Sequence, residues 1–214
     1  MVPGCLPGMS EPAGLDSYIC TMKRTTELLL FCLCAVAGIR GFGQTAKYDS
    51  TLSVGNVGYH VSCNNKNGDQ NEVFIRLIGF DHTARGFDFY LRGKVTRSVI
   101  DDLNNDGYPD LILQINSGTN GEFGSIYAFC SEKNKSVIPF SLPDVILDGK
   151  LSGGYKGHDT FSLLEGSLMQ KFPIYKPGDD PDKPTGGSRV IRYQVISNER
   201  GGLKFKVENS YEIK

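Results

Sequence analysis

The sequence predicts an all-β protein, an antiparallel β-sandwich or a stack of twisted sheets. Runs rich in Val, Ile, Phe and Tyr recur through residues 58–209, and most are bounded by Gly, Asn, Asp or Pro, which is the composition of strands and turns. Two of these runs, Arg189–Val195 and Leu203–Glu208, alternate apolar and polar residues, as a strand with one buried face does. Only Leu142–Leu147 has room for a helical turn.

The predicted strands can be assigned one by one along the chain. They are Gly58–Cys63, Val73–Phe80, Gly86–Leu91, Lys94–Asp101, Asp110–Gln114, Ser125–Cys130, Ser136–Phe140, Thr160–Leu164, Leu168–Tyr175, Arg189–Ser197 and Leu203–Asn209. The connection Asn198–Gly202 predicts a hairpin between the last two strands. A fixed-period repeat is absent and the acidic turn described below occurs once, which argues against a propeller.

The first 43 residues have the features of a leader. Met22-Lys-Arg24 begins a basic segment, Leu28–Ala37 is apolar, and Gly41-Phe-Gly43 places small residues where a signal peptidase cleaves. The apolar run is too short to span a membrane. We therefore predict an over-long N-terminal extension at 1–21, a signal peptide at 22–43 and a single mature domain at 44–214, exported to the periplasm or secreted.

Charge and size limit the classes of partner. The chain has 23 Lys and Arg against 24 Asp and Glu, and three of each lie in the leader, so the mature chain keeps a net charge of −1. A near-neutral surface argues against nucleic acid and against an anionic membrane surface as partners. About 170 residues suit one domain with a sizeable core.

The cysteines predict a disulfide. Once the leader is removed, Cys63 and Cys130 are the remaining pair of the six. Two cysteines in an exported chain most simply form one disulfide. The alternative is two buried thiols. Two cysteines with three scattered histidines do not make a zinc site.

An acidic turn, DLNNDGYPD, predicts a calcium site or a metal-free copy of one. Asp102, Asn104, Asp106 and Asp110 occupy positions 1, 3, 5 and 9, with Gly107 at position 6 for the sharp bend. Oxygen ligands at alternating positions of a tight loop suit Ca²⁺. The bidentate glutamate of an EF-hand is absent because position 12 is Leu113. The alternative is a turn in which the Asp and Asn side chains bond their own backbone.

A Gly-rich loop follows the next strand. Residues 117–124 contain three glycines, a hydroxyl pair and Phe123, which the sequence leaves as an exposed aromatic. Such a segment could enter the cleft of a partner, and the alternative is an ordinary long hairpin connection. The candidate contact residues are Ser117, Gly118, Thr119, Asn120, Gly121 and Phe123.

A search for catalytic constellations predicts that the protein is not an enzyme. His158 and Asp159 are adjacent, so on a strand their side chains would point to opposite faces. A GxSxG elbow and an HExxH motif are both absent from the sequence. A hydrolase would require folding to bring His158 to a serine or a carboxylate.

Several segments, in order, resemble the periplasmic inhibitors of i-type (invertebrate) lysozyme. They are the turn Asp102–Leu111, Gly124–Phe129 after the Gly-rich loop, Gly154–Phe161, Leu168–Tyr175 and Pro184–Tyr193. The resemblance implies an exported β-sandwich, often dimeric, whose SGxxY loop blocks the lysozyme cleft with a Ser and a Tyr that reach the catalytic carboxylates.

This chain departs from that pattern at the loop. Ser117-Gly118 is followed by Thr119 and Asn120, while Asn120-Gly-Glu-Phe123 keeps the spacing with Asn in place of Ser and Phe in place of Tyr. Phe123 has no hydroxyl to offer a carboxylate. Two further hypotheses stay open: a calcium-stabilised exported binding or adhesion module, and a hydrolase that uses His158.

Overall fold

The fold consists of twelve strands and one short 3₁₀-helix in the residues that the computed structural model describes, 47–66 and 70–214. The strands are β1 (Tyr48–Val54), β2 (Val57–Cys63), β3 (Asn71–Ile78), β4 (Phe87–Leu91), β5 (Lys94–Asp101), β6 (Asp110–Ser117), β7 (Phe123–Glu132), β8 (Ser136–Ser141), β9 (Thr160–Leu164), β10 (Ser167–Pro173), β11 (Ser188–Ser197) and β12 (Leu203–Ile213). The 3₁₀-helix Val145–Leu147 lies within the segment where a helical turn is predicted. The all-β prediction is confirmed. The extension at 1–21, the signal peptide at 22–43 and its cleavage point before Gln44 lie outside the described residues.

The strands form three antiparallel meanders in chain order. The first sheet is β1-β2-β3-β4, the central sheet is β5-β6-β7-β8, and the third sheet is β9-β10-β11-β12. Each strand pairs with its sequence neighbour, so every sheet is built from local hairpins. In the part of the chain described, no helix is long and apolar enough to cross a membrane.

The central sheet lies between the other two, because its two faces belong to different hydrophobic clusters. One cluster joins the first sheet to the central sheet and includes Val61, Val73, Leu111 and Leu113. The other cluster joins the central sheet to the third sheet and includes Ile112, Ala128, Leu168 and Ile191. Successive residues of a strand point to opposite faces. A covered sheet therefore needs apolar residues at consecutive positions.

Strand β6 shows this requirement most clearly. Leu111, Ile112, Leu113 and Ile115 are all buried. The run reads as continuously apolar rather than alternating, as expected for a strand covered on both faces. By contrast, β11 and β12 keep polar residues on the face away from the core.

One strand is missing from the predictions, and several predicted strand ends differ from the structure, for example β12, which runs to Ile213 instead of Asn209. Strand β1 has no counterpart among the predicted strands, because its polar residues mask the alternation of Tyr48 and Leu52, which pack against the first cluster. Strands β6 and β7 also run further than predicted, pairing as far as Ser117 and Phe123. The connection between them therefore shrinks to residues 118–122.

The predicted Cys63–Cys130 disulfide is corrected by the structure. Both cysteines are buried free thiols. Cys63 belongs to the cluster between the first and central sheets, and Cys130 to the cluster between the central and third sheets. The central sheet separates them, so bridging them would require the layers to be rebuilt. The Cys130 thiol instead donates to Asp110 Oδ2 at 3.1 Å, and burial raises its pKa.

Candidate functional site

The loop between β6 and β7 is a short, internally bonded hairpin. Its exposed tip is Gly118, Thr119 and Asn120. The N–H of Gly121 donates to the Gly118 carbonyl at 3.3 Å, and the Asn116 side-chain amide donates to the Gly121 carbonyl at 2.9 Å. These two bonds tie the tip to the end of β6.

Glu122 organises the tip from inside the loop. Its Oε2 accepts the Asn120 N–H at 2.8 Å. Backbone N–H groups of Glu122 itself and of Asn120 hold the pKa of this carboxyl below its ordinary value. At Gly118, where φ is +90°, a Cβ would lie 2.6 to 2.8 Å from the Glu122 carboxyl atoms. Any larger residue here would displace this carboxylate and would be strained at positive φ.

Phe123 is not the exposed aromatic that the sequence suggested. It is the first residue of β7, opposite Ser117, and it is half-buried. Its ring lies 6.2 Å from the ring of Tyr155. The aromatic therefore packs at the base of the loop, and the tip consists of small polar residues.

A buried carboxylate fixes the base of the loop to the third sheet. Asp159 is 7% exposed and its Oδ2 accepts from the Gly124 N–H at 2.9 Å and from the Tyr155 hydroxyl at 2.7 Å. Its Oδ1 accepts from the Gln170 amide at 2.7 Å, and Tyr193 donates to that amide's oxygen at 2.9 Å. Burial raises the pKa of Asp159, while each oxygen is hydrogen-bonded.

The sequence does not predict this hydrogen-bond network. It singles out Asp159 only as the neighbour of His158 in a possible catalytic pair. The two neighbours have opposite environments: Asp159 is buried and His158 is exposed. The His158 N–H donates to the Glu122 carbonyl at 2.5 Å, and its ring lies 6.3 Å from that of Tyr175. His158 thus contacts the loop through its backbone.

The acidic turn between β5 and β6 is held by its own side chains. Asp102 accepts the N–H groups of Asp106 and Gly107 at 2.9 and 2.8 Å. Asp106 accepts the N–H of Tyr108 at 2.9 Å and the side-chain amide of Asn104 at the same distance. Leu103, which is 1% exposed, inserts into the core beneath the turn. The structure thus brings Asp102, Asn104 and Asp106 together.

Asp110, the fourth predicted ligand, turns into the protein. It is fully buried. Its Oδ2 accepts the Leu103 N–H at 2.9 Å as well as the Cys130 thiol, and its Oδ1 accepts the Ser131 N–H at 2.8 Å. Among the described residues, no group of three or more His, Cys, Asp or Glu side chains is placed to hold a metal ion. A calcium ion in the turn would have to take its carboxylate oxygens from Asp102 and Asp106.

The two candidate sites lie at the two ends of one strand. The acidic turn precedes Asp110 at the start of β6, and the loop follows Ser117 at its end. No family model matches the chain, and no curated protein matches it.

Proposed function

We propose that this chain is an exported inhibitor of i-type lysozyme whose β6–β7 loop enters the enzyme's substrate cleft. The observation that carries the proposal is the exposed tip Gly118–Asn120. The residues on both sides of this tip are held in place by side-chain hydrogen bonds. Inhibitors gain affinity when the contacting segment is already ordered before binding. Asn116 and Glu122 order this tip from within, and Asp159 holds the strand that follows it.

The chemistry of the tip suits a cleft that contains carboxylates. Glycoside hydrolases of this kind place two carboxyl groups around the scissile bond. The Thr119 hydroxyl and the Asn120 side-chain amide can both donate hydrogen bonds to a carboxylate. The Ser117 hydroxyl donates to the Phe123 carbonyl at 3.4 Å, so it supports the loop more than it serves the tip. Thr119 and Asn120 are therefore the residues that we expect to contact the enzyme.

The direct test is inhibition of purified lysozymes of the i, c and g types by mature protein that begins at Gln44. We expect inhibition of the i type, with binding weaker by roughly 100-fold or more for a Thr119→Ala/Asn120→Ala double variant, because two donors to charged groups are lost. A Thr51→Ala variant on β1 serves as the matched control and should inhibit like the parent. If the parent binds no lysozyme of any type, the resemblance reports fold without function.

A further inference from the structure

A second feature of the molecule borders the loop. The connection between β4 and β5 lies beside it, and the two segments enclose an open groove of about 970 Å³. The groove is lined by Arg92, Gly93, Lys94, Thr96 and Asn116 together with residues 117–121. Two of the lining residues, Arg92 and Lys94, are basic, and the Glu122 carboxylate that borders the lining residue Gly118 is already engaged by the Asn120 N–H.

The position of the basic residues is fixed by close backbone packing. Gly93 has φ +95°, and a Cβ there would lie 2.4 Å from the Asn116 carbonyl oxygen. The turn that carries Arg92 and Lys94 is thus pressed against the end of β6. Arg92 is exposed and Lys94 is half-buried, and both line the groove.

Asn116 connects the floor of the groove to the loop. Its Oδ1 accepts the Thr96 hydroxyl at 3.1 Å, while its Nδ2 donates to the Gly121 carbonyl. The groove and the tip therefore share one side chain, so they form one continuous surface. A partner that contacts the tip would cover the groove as well.

We infer that this basic groove is a docking site for a carboxylate-bearing segment of a partner protein. Where the partner is a lysozyme, the inference rests on the proposed function and extends the contact from the tip to a carboxylate-bearing segment beside the cleft. Complementary charges at the rim of an interface mainly accelerate association and make it dependent on salt. An arginine also pairs with a carboxylate in a bidentate geometry.

The groove can be tested without any lysozyme. The probe is a ten-residue oligoglutamate, added to the mature protein while backbone amide shifts are recorded by NMR at low ionic strength. We expect the shift changes to be confined to residues 92–96 and 116–121. They should be lost in Arg92→Glu. They should be retained in Lys206→Glu, which reverses a positive charge at an exposed position on β12. Shifts spread evenly over surface lysines, or unchanged by Arg92→Glu, overturn the inference. The inference is also overturned if a heparin fragment of equal charge binds the same residues more tightly than the peptide does.

A second measurement separates this inference from the proposed function. With a lysozyme that the parent inhibits, Arg92→Glu should slow association roughly 10-fold at low salt, with the difference shrinking as salt screens the charge. An unchanged association rate would contradict the inference that the groove is a docking site, while leaving inhibition by the tip intact. If no lysozyme binds, the proposed function fails, and the peptide titration still decides the groove.

Discussion

At the scale of single residues, Asp110 shows how a sequence motif and a folded environment can assign different roles to one side chain. Its spacing in the turn predicts a metal ligand, whereas in the structure it bonds Leu103, Cys130 and Ser131 in the core. Burial raises the pKa of Asp110 to about 6. It accepts three hydrogen bonds, and each favours the ionised form. Desolvation outweighs them.

The raised pKa predicts a measurable pH dependence of stability. The native state holds its proton up to about pH 6, whereas the unfolded state loses it near pH 4. The contribution of Asp110 is therefore fully present below pH 4 and is lost as the pH rises through about 6. Asp110→Asn lacks this term, so the stability difference between parent and variant should change by about 2 kcal/mol between pH 4.5 and 7.5.

Urea unfolding at both pH values measures this change. The matched control is Asp182→Asn, at an exposed carboxyl, for which the difference from the parent should stay nearly constant. A parent–Asp110→Asn difference that does not vary with pH would show that the carboxyl titrates normally in the folded protein.

At the scale of elements, the acidic turn and the loop are both ordered by carboxylate side chains that accept hydrogen bonds from backbone N–H groups. In the turn, the carboxylate oxygens of Asp102 and Asp106 that accept these N–H groups are also the ones that calcium would use. If calcium binds there, the melting temperature should rise with calcium concentration, because the ion binds only the native state. Asp106→Ala should remove that dependence, and Asp101→Ala, at a neighbouring acid outside the predicted ligand set, should retain it.

Thermal unfolding in calcium and in chelator decides this point. Asp106 also accepts the N–H of Tyr108, so its removal lowers the melting temperature in chelator as well. The informative quantity is the shift caused by calcium in each variant. A parent that melts at the same temperature in both buffers has a metal-free turn.

For the loop, Tyr155 offers a test of the base. Tyr155→Phe removes one donor to the buried Asp159 and keeps the ring that packs 4.7 Å from Phe172. We expect a loss of about 1.5–3 kcal/mol in the free energy of unfolding, as for a buried hydrogen bond to a charged group. The amide protons of Gly124 and of the loop should also exchange faster. Tyr48→Phe, which removes a hydroxyl bonded to Ser98 in the first sheet at 2.6 Å, should leave loop exchange unchanged.

The sequence predicts these elements better than it predicts their contacts. Alternating and continuous apolar runs are local properties, so eleven of the twelve strands can be recognised from them. The carboxylate of Asp159 gives no such signal, because its donors come from residues 124, 155 and 170. The same holds for Phe123, which looks exposed until the chain brings Tyr155 beside it.

At the scale of the whole molecule, the decisive property is the covering of the central sheet on both faces. The sequence carries a trace of it in Leu111–Leu113, but it does not say which sheets do the covering. That depends on how the meanders stack. The sequence also does not show that Cys63 and Cys130 lie in different layers. A cysteine count alone therefore predicts a disulfide that the layers prevent.

The layered core predicts an order of local stability. Amides in β6 and β7 are covered by both outer sheets, so they should open only with global unfolding. Strands β1 and β12 are two of the six edge strands of the described sheets, each with one unpaired side, and β12 is mostly exposed. Native-state hydrogen exchange should give the slowest rates in β6 and β7 and rates roughly 10-fold faster or more in β1 and β12. Equal protection in all three sheets would indicate a single cooperative unit without layers.

Strand β6 also has a use as a molecular ruler. It joins the acidic turn to the loop through eight extended residues, which span about 25 Å. A dye or a surface linker attached at the exposed Asn105, in the acidic turn, would therefore sit at the opposite end of β6 from the tip. Protein immobilised through Asn105 would present the β6–β7 loop of each molecule to the solution in the same orientation. A fluorophore at Asn105 would detect by energy transfer a labelled partner bound at the loop, without contacting that partner.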